Sequence, residues 1–459
     1  MPEILIIYEH KAREYQCITM LKAELEKRGH SVKICHYNFG GRWFHQLFSK
    51  PKLVIGPGAH YHEILPGSKM NYVDWATDSL RGRAPFFLNL QIEQVFRDGP
   101  TAIWNVMNDE QYRDHMYYAC WGNHRYQQLK QFGVSDDKIY ITGAIQLDLL
   151  RDPSIKFYKT KEEVASKYGL DKSKRWNLFI SGFMWSSKTE NEMLREARAQ
   201  RDSGIEVDDA VVLRDWKISV ESQKITMQWI DRYLEDSDDI FIYRPHPGEK
   251  SSQFVLDLQK KYPERFLIIE YESVQQWIAA CDVINLWTST AIVETYMANK
   301  TCNIVQPLPL SKRMVPILFD YSVNVVDTYE KFVESQNRQP EDFPIKKQII
   351  DDYYSQDEEA AYKKTCDFIE MILKSKVPKT EKSKFTWRTF FNETYLQWRY
   401  AEFFMATNIR FSKIALFKRK GLQNTENAFD NSYVKADIKF NKEEKRNNKK
   451  IRDIIKKNK

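Results

Sequence analysis

Apolar runs of three to five residues alternate with stretches of helical spacing from Ile4 to Val305, and this alternation leaves few folds open. A run that short suits a strand buried on both faces, and repeated β–α units imply a mostly parallel sheet flanked by helices. Residues 4–8 read as the first strand and 15–28 as its helix, with Ile18, Leu21 and Leu25 on one face and Gly29 ending it. Further strands are expected at 31–35, 53–55, 86–90, 117–121 and 138–142, with a helix around 125–132. A polar stretch, 151–161, reads as a connection, after which the alternation restarts. Strands are expected at 177–181, 240–243, 266–269, 282–286 and 301–305, and helices at 218–234, 254–262, 274–280 and 291–298. The charged segment 190–215 between the first two of these strands has the composition of a mobile lid.

A chain of 459 residues exceeds one ordinary core, so two α/β domains and an appendage are expected. The boundaries fall at 1–155 for the first, 156–375 for the second and 376–459 for the remainder. Residues 374–384 are rich in Lys, Ser, Thr and Pro and read as a linker. Trp387, Phe391, Tyr395, Trp398, Met405 and Ile409 then approximate one face of a helix, which suits packing on the protein's own body or contact with lipid. The stretch from Lys435 to Lys459 holds eleven Lys and Arg against four Asp and Glu, while the rest of the chain is balanced at 59 of each sign. A neutral body excludes a nucleic-acid-binding surface there, and the basic tail suits an acidic surface such as the inner face of a membrane. No signal peptide is visible at the N-terminus and no apolar run approaches the roughly 18 residues that span a bilayer, so a cytoplasmic protein is expected. The six cysteines lack any C-x-x-C pair and read as buried thiols. His10, His60, His62 and His124 have no metal-ligand spacing, so no metal and no other cofactor is expected.

The candidate chemistry gathers at strand C-terminal ends, the edge where open α/β sheets bind ligands. After the strand 240–243 come Arg244-Pro245-His246-Pro247-Gly248-Glu249, whose two prolines forbid helix and further strand pairing and hold His246 on a rigid turn. After the strand 282–286 come Trp287-Thr288-Ser289-Thr290, which open a helix containing Glu294; Ser289 or Thr290 can cap it. Hydroxyls, free N–H groups and a helix start suit a phosphate, so the two turns together suggest a nucleotide-phosphate site beside an imidazole. Gly182, after the strand 177–181, allows close approach of a ligand. In the first half, Glu9-His10-Lys11-Ala12-Arg13-Glu14 crowds five ionisable groups at the end of the first strand, as a functional cluster or a solvated loop.

Two Rossmann-like halves, the Arg-Pro-His-Pro-Gly-Glu turn and the later Ser-Thr-x-x-x-Glu helix resemble the bacterial surface-carbohydrate biosynthesis glycosyltransferases of the GT-B fold. Tyr8-Glu9-His10-Lys11-Ala12-Arg13-Glu14-Tyr15 with Arg28-Gly29-His30 is similar to that family's first strand and helix. Thr142-Gly143-x-x-x-x-Asp148 is similar to its Thr-Gly-x-x-x-x-Asp segment, with Gln146 where a basic residue is usual. The likeness covers residues 1–310. The His-Pro and Ser-Thr pairs also look like those of sialyl, Kdo and polyol-phosphate transferases that use cytidine nucleotides.

The resemblance implies two domains facing across a cleft, with donor-site roles for His246, Ser289 and Thr290. It implies metal-independent transfer of a sugar from a nucleotide-activated, CMP-linked donor to a glycan or lipid-linked glycan acceptor in surface polysaccharide (capsule) synthesis. Within that scheme His246, as imidazolium or hydrogen-bond donor, faces the leaving phosphate. Arg244 adds to it or braces the turn through Glu249, and Glu294 accepts from ribose hydroxyls. Glu9 is the first candidate for general base and Glu14 the second, with Arg13 and Lys11 toward the acceptor; a salt bridge from Glu9 to Arg13 or Lys11 is an equal reading. A CDP-glycerol or CDP-ribitol polyol-phosphate transferase and a non-catalytic glycan-assembly scaffold fit the same features. A nucleotide-sugar 2-epimerase shares the architecture but gives the aromatic and basic extension no purpose.

Overall fold

A computed structural model of the chain describes residues 1–8, 11–36, 50–56, 84–90, 94–95, 97, 106, 110–202, 207–246, 248–270, 272–355, 358–378 and 444–457. Glu9, His10, His60, His62, Pro247 and the aromatic segment around Trp387 to Ile409 lie outside the described residues, as do the side chains of Lys11 and Arg13. Two compact α/β units divide the described chain: residues 1–148 with those from Tyr353 onward, and residues 149–352.

The first unit contains β1 (Ile4–Tyr8), α1 (Lys11–Lys27), β2 (Val32–His36), β3 (Leu53–Gly56), β4 (Phe86–Asn89), β5 (Met116–Cys120), α2 (Asn123–Gln131) and β6 (Ile139–Ile141). Its strands lie in the order β2-β1-β3-β4-β5-β6, every pair parallel. Ile4 stands opposite both Val32 and Leu53, which places β1 in the sheet interior and explains its uninterrupted apolar sequence. Helix α1 starts four residues earlier than its apolar spacing suggests, because its first turn is polar and leaves no apolar signal. Gly29, at φ +97°, terminates it in a conformation that favours glycine.

The second unit contains α3 (Lys161–Tyr168), β7 (Trp176–Ile180), α4 (Glu190–Asp202), α5 (Asp209–Asp236), β8 (Ile240–Arg244), α6 (Gln253–Lys261), β9 (Phe266–Ile268), α7 (Val274–Ala280), β10 (Val283–Leu286), α8 (Ile292–Met297) and β11 (Thr301–Ile304). Its strand order is β11-β10-β7-β8-β9, again all parallel. The chain reverses direction of addition between β7 and β10, which makes their C-terminal ends a topological switch point. The expected lid over 190–215 is instead mostly helical. Met193 and Ala197 of α4 pack with Val212 of α5 in a small buried cluster, and Asp208 caps α5 through the N–H of Ala210.

Beyond α9 (Tyr329–Ser335) and α10 (Lys347–Tyr354), the chain adds α11 (Ala361–Lys374) and α12 (Glu444–Lys457), both of which pack on α1. The second unit therefore ends at Asp352, not at 375. Asp148 accepts hydrogen bonds from the N–H groups of Ala361 and Tyr362 at 3.1 and 2.7 Å, and Arg28 pairs with Asp367 at 2.5 Å. The basic tail ends in an ordered helix whose Ile451 and Ile455 are buried, and Lys27 donates to the carbonyl of Ile455 at 3.4 Å. Among the described residues no helix is long and apolar enough to cross a membrane.

Candidate functional site

Three adjacent strands, β10, β7 and β8, deliver most of the candidate donor-site residues to one edge of the second sheet. β10 leads into Thr288, Ser289 and Thr290, β7 into Ser181 and Gly182, and β8 into His246 and Glu249. The β8 turn is locked from below. His246 donates its main-chain N–H to Glu249 Oε2 at 3.2 Å, and Glu249 returns its own N–H to the His246 carbonyl at 2.8 Å. The half-buried imidazole accepts at Nδ1 from the N–H of Gly248 at 3.1 Å. Desolvation lowers its pKa below the ordinary 6.5. A ring that accepts at Nδ1 carries its proton on Nε2.

Glu249 is a buried brace. Its carboxyl meets the Tyr243 hydroxyl at 2.5 Å and the Ser181 hydroxyl at 2.6 Å, with Gln223 Nε2 at 3.4 Å. Burial raises its pKa. Arg244 turns to the neighbouring segment instead, donating to the carbonyls of Ile269 and Glu272, both at 2.9 Å, and so ties the end of β8 to the end of β9. Tyr243, Ser181 and Gln223 were missed as site residues. A signal existed for the last: Ser219, Ser222, Gln223 and Thr226 recur at helical spacing on α5, all buried, which is a polar stripe turned toward protein.

Gly182 serves a different contact from the one its sequence suggests. A Cβ there would lie 2.4 Å from Thr288 Oγ1 and 2.8 Å from the Trp287 carbonyl, so the glycine admits the β10 turn, not a ligand. Thr288 itself has φ +50°, a strained conformation for a β-branched residue of the kind that collects at functional turns. Ser289 Oγ accepts from the N–H of Ala291 at 3.2 Å, which leaves its own O–H to donate elsewhere, and Thr290 is exposed. The helix that follows is six residues, shorter than the expected 291–298, because Ala291 sits in a turn with ψ near 0°. Its dipole adds little; the hydroxyls carry what anion-binding capacity the turn has. Glu294 lies in the first turn, partly open yet crowded by protein, and desolvation pushes its carboxyl up to about 7.

In the first unit Glu14 is buried in the first turn of α1, close to Cys17, whose thiol is pushed upward first by its own burial and then by the Glu14 charge. The Thr-Gly-x-x-x-x-Asp segment has a structural job: Asp148 caps α11, and a Cβ on Gly143, at φ +82°, would lie 3.2 Å from Ala361 Cβ. That segment is the socket for the returning C-terminal helix.

Known structures resemble the fold of this chain. A variant of the wall teichoic acid polymerase TagF is 10% identical, covering 82% of this chain and 90% of its own, at a TM-score of 0.50. The UDP-GlcNAc 2-epimerase of Methanocaldococcus jannaschii is 15% identical, covering 81% and 99%, at 0.48. The S. aureus MnaA-UDP structure is 13% identical, covering 83% and 100%, at 0.46. No protein-family model and no curated protein matches the sequence. At these identities the likeness concerns the fold: the chain is a GT-B-fold protein of two parallel-sheet α/β units.

Proposed function

We propose that the chain is a GT-B transferase that moves a sugar from a CMP-linked donor onto a surface glycan or lipid-linked glycan. The observation that carries the reading is the His246 turn, whose imidazole is fixed through Nδ1 at the sheet edge that also bears Ser289, Thr290 and Glu294. In the reaction the acceptor oxygen bonds to the anomeric carbon, the bond from that carbon to the phosphate oxygen breaks, and negative charge collects on the leaving nucleotide. Nε2–H of His246 and the hydroxyls of Ser289 and Thr290 stabilise that charge as it develops. Glu294 receives the ribose hydroxyls. The acceptor's proton goes to a carboxylate of the first unit, Glu9 before Glu14, with Arg13 and Lys11 toward an acidic acceptor. The basic face of α12 carries the contact with an anionic membrane surface.

The TagF likeness keeps a second reading in view, transfer of a polyol phosphate from CDP-glycerol or CDP-ribitol. Calorimetric titration with CMP, CDP, UDP and GDP, on the native protein and on His246→Asn, decides between them. CMP binding that weakens in the variant supports sugar transfer, and CDP preference supports the polyol-phosphate reading. UDP preference points to an epimerase or hexosyltransferase. No binding by the native protein sinks the donor-site reading and leaves a glycan-assembly scaffold.

A further inference from the structure

Glu249, Tyr243 and Ser181 form a closed triangle of oxygens beneath the His246 turn. Its edges are 2.5 Å from Glu249 Oε1 to the Tyr243 hydroxyl, 2.8 Å from that hydroxyl to Ser181 Oγ, and 2.6 Å from Ser181 Oγ to Glu249 Oε2. Each edge is a hydrogen-bond distance and needs one proton. The two hydroxyls supply two. An ionised carboxylate supplies none and would leave one edge as two oxygens facing each other lone pair to lone pair. We propose that Glu249 stands protonated at neutral pH and is a positioning residue for His246, closing this ring through Oε1 while Oε2 holds the His246 main-chain N–H.

The surrounding donors fit that count. With the proton on Oε1, Glu249 donates to Tyr243, Tyr243 donates to Ser181, and Ser181 donates to Oε2. Gln223 Nε2 donates to the Tyr243 oxygen at 3.1 Å, the Phe183 N–H donates to Ser181 Oγ at 3.2 Å, and the His246 N–H donates to Oε2 at 3.2 Å. Every hydroxyl then gives one hydrogen bond and receives two, and Oε2 receives two. Among the described residues the carboxyl's hydrogen-bond partners are Ser181, Tyr243, Gln223 and the His246 main chain, none of them a Lys or Arg side chain, and Lys250, next in the chain, is exposed. Desolvation is the largest influence on the carboxyl and raises its pKa, outweighing the hydrogen bonds from Ser181, Tyr243, His246 and Phe183 that favour the ionised form. The ring is formed within the protein, so its protonation is measurable without a ligand; only its purpose rests on the donor-site reading.

Infrared difference spectra of the full chain at neutral pH, native against Glu249→Gln, test the protonation. The expected result is a carboxylic-acid C=O band, shifted in D2O, present in the native protein and lost in the variant. Glu249→Gln should also rescue function, since an amide N–H can donate to Tyr243 while the amide oxygen accepts from Ser181 and His246. Its affinity for the preferred cytidine nucleotide should stay within about threefold of native, whereas Glu249→Leu and Tyr243→Phe should each lose about tenfold or more. Ionisation of Glu249 should weaken native affinity as pH rises, and the Gln variant should lack that loss, keeping only the dependence that Glu294 contributes. Absence of the band, or a Gln variant as impaired as the Leu variant, would overturn the proposal. Should the native protein bind no cytidine nucleotide, the donor-site reading fails, while the band and the thermal stability of Glu249→Gln still decide the ring.

Discussion

The main-chain N–H of Gly248 donates to Nδ1 of His246 at 3.1 Å, and this bond decides which ring nitrogen is left to face a ligand. With Nδ1 an acceptor and the ring neutral, the proton sits on Nε2. Nitrogen-15 correlation spectra at pH 7 should therefore show the Nε2–H tautomer; a dominant Nδ1–H form would contradict the assignment. His246→Asn keeps an acceptor near Nδ1 but ends short of Nε2. It should melt like the native protein yet bind cytidine nucleotide about 10- to 100-fold more weakly, the worth of one hydrogen bond to a charged group.

Gly182 and Thr288 are coupled through a contact that has no room for a methyl group. Gly182→Ala should cost about 1–3 kcal/mol by overpacking against Thr288 Oγ1 and the Trp287 carbonyl. Thr288→Gly removes the side chain in the way and suits φ +50°, so the double variant should recover part of that loss. Chemical denaturation of the four proteins gives the coupling energy. Simple additivity would show that the two turns do not constrain each other.

Interior strands such as β1, β3 and β5 were legible in the sequence because they are buried on both faces and read as apolar runs, whereas the edge strands β2 and β6 expose Lys33 and Tyr140. Helix limits were less so, for local reasons. The first turn of α1 is polar, Ala291 falls into a turn, and the charges across 190–215 obscured the apolar residues Val212, Leu213 and Trp216, by which the first half of α5 packs on α4. The prolines marked the His246 turn from the sequence alone. What holds that turn could not be read there, since Tyr243 meets Ser181 across 62 positions. The same distance effect hid the return of the chain, where Asp148 caps a helix 213 residues later.

That cap carries its own expectation. Asp148 is buried and receives two N–H groups of α11, so Asp148→Ala leaves both without a partner. The loss should be about 1–3 kcal/mol, with Asp148→Asn intermediate. Hydrogen exchange should quicken at the first turn of α11 before it quickens in β1. Unchanged protection there would mean that packing on α1, not the cap, holds the helix in place.

Glu294 gives the sharpest pH dependence. Its carboxyl is pushed from 4.5 to about 7 by desolvation, so the folded protein keeps a proton that the unfolded chain releases. The stabilising difference is complete below pH 4.5, declines as pH rises, and is gone above about 7. Discounted for the group's partial exposure, the loss across that window is about 2 kcal/mol. Glu294→Gln should match the native protein in denaturant midpoint at pH 4.5 and exceed it at pH 8. A ribose hydroxyl donating to this carboxyl favours its ionised form. Nucleotide binding near pH 7 should therefore release a fraction of a proton, visible as a dependence of the calorimetric enthalpy on the buffer's ionisation enthalpy. In Glu294→Gln that dependence should vanish. If it persists unchanged, the released proton comes from another group and Glu294 does not touch the ribose.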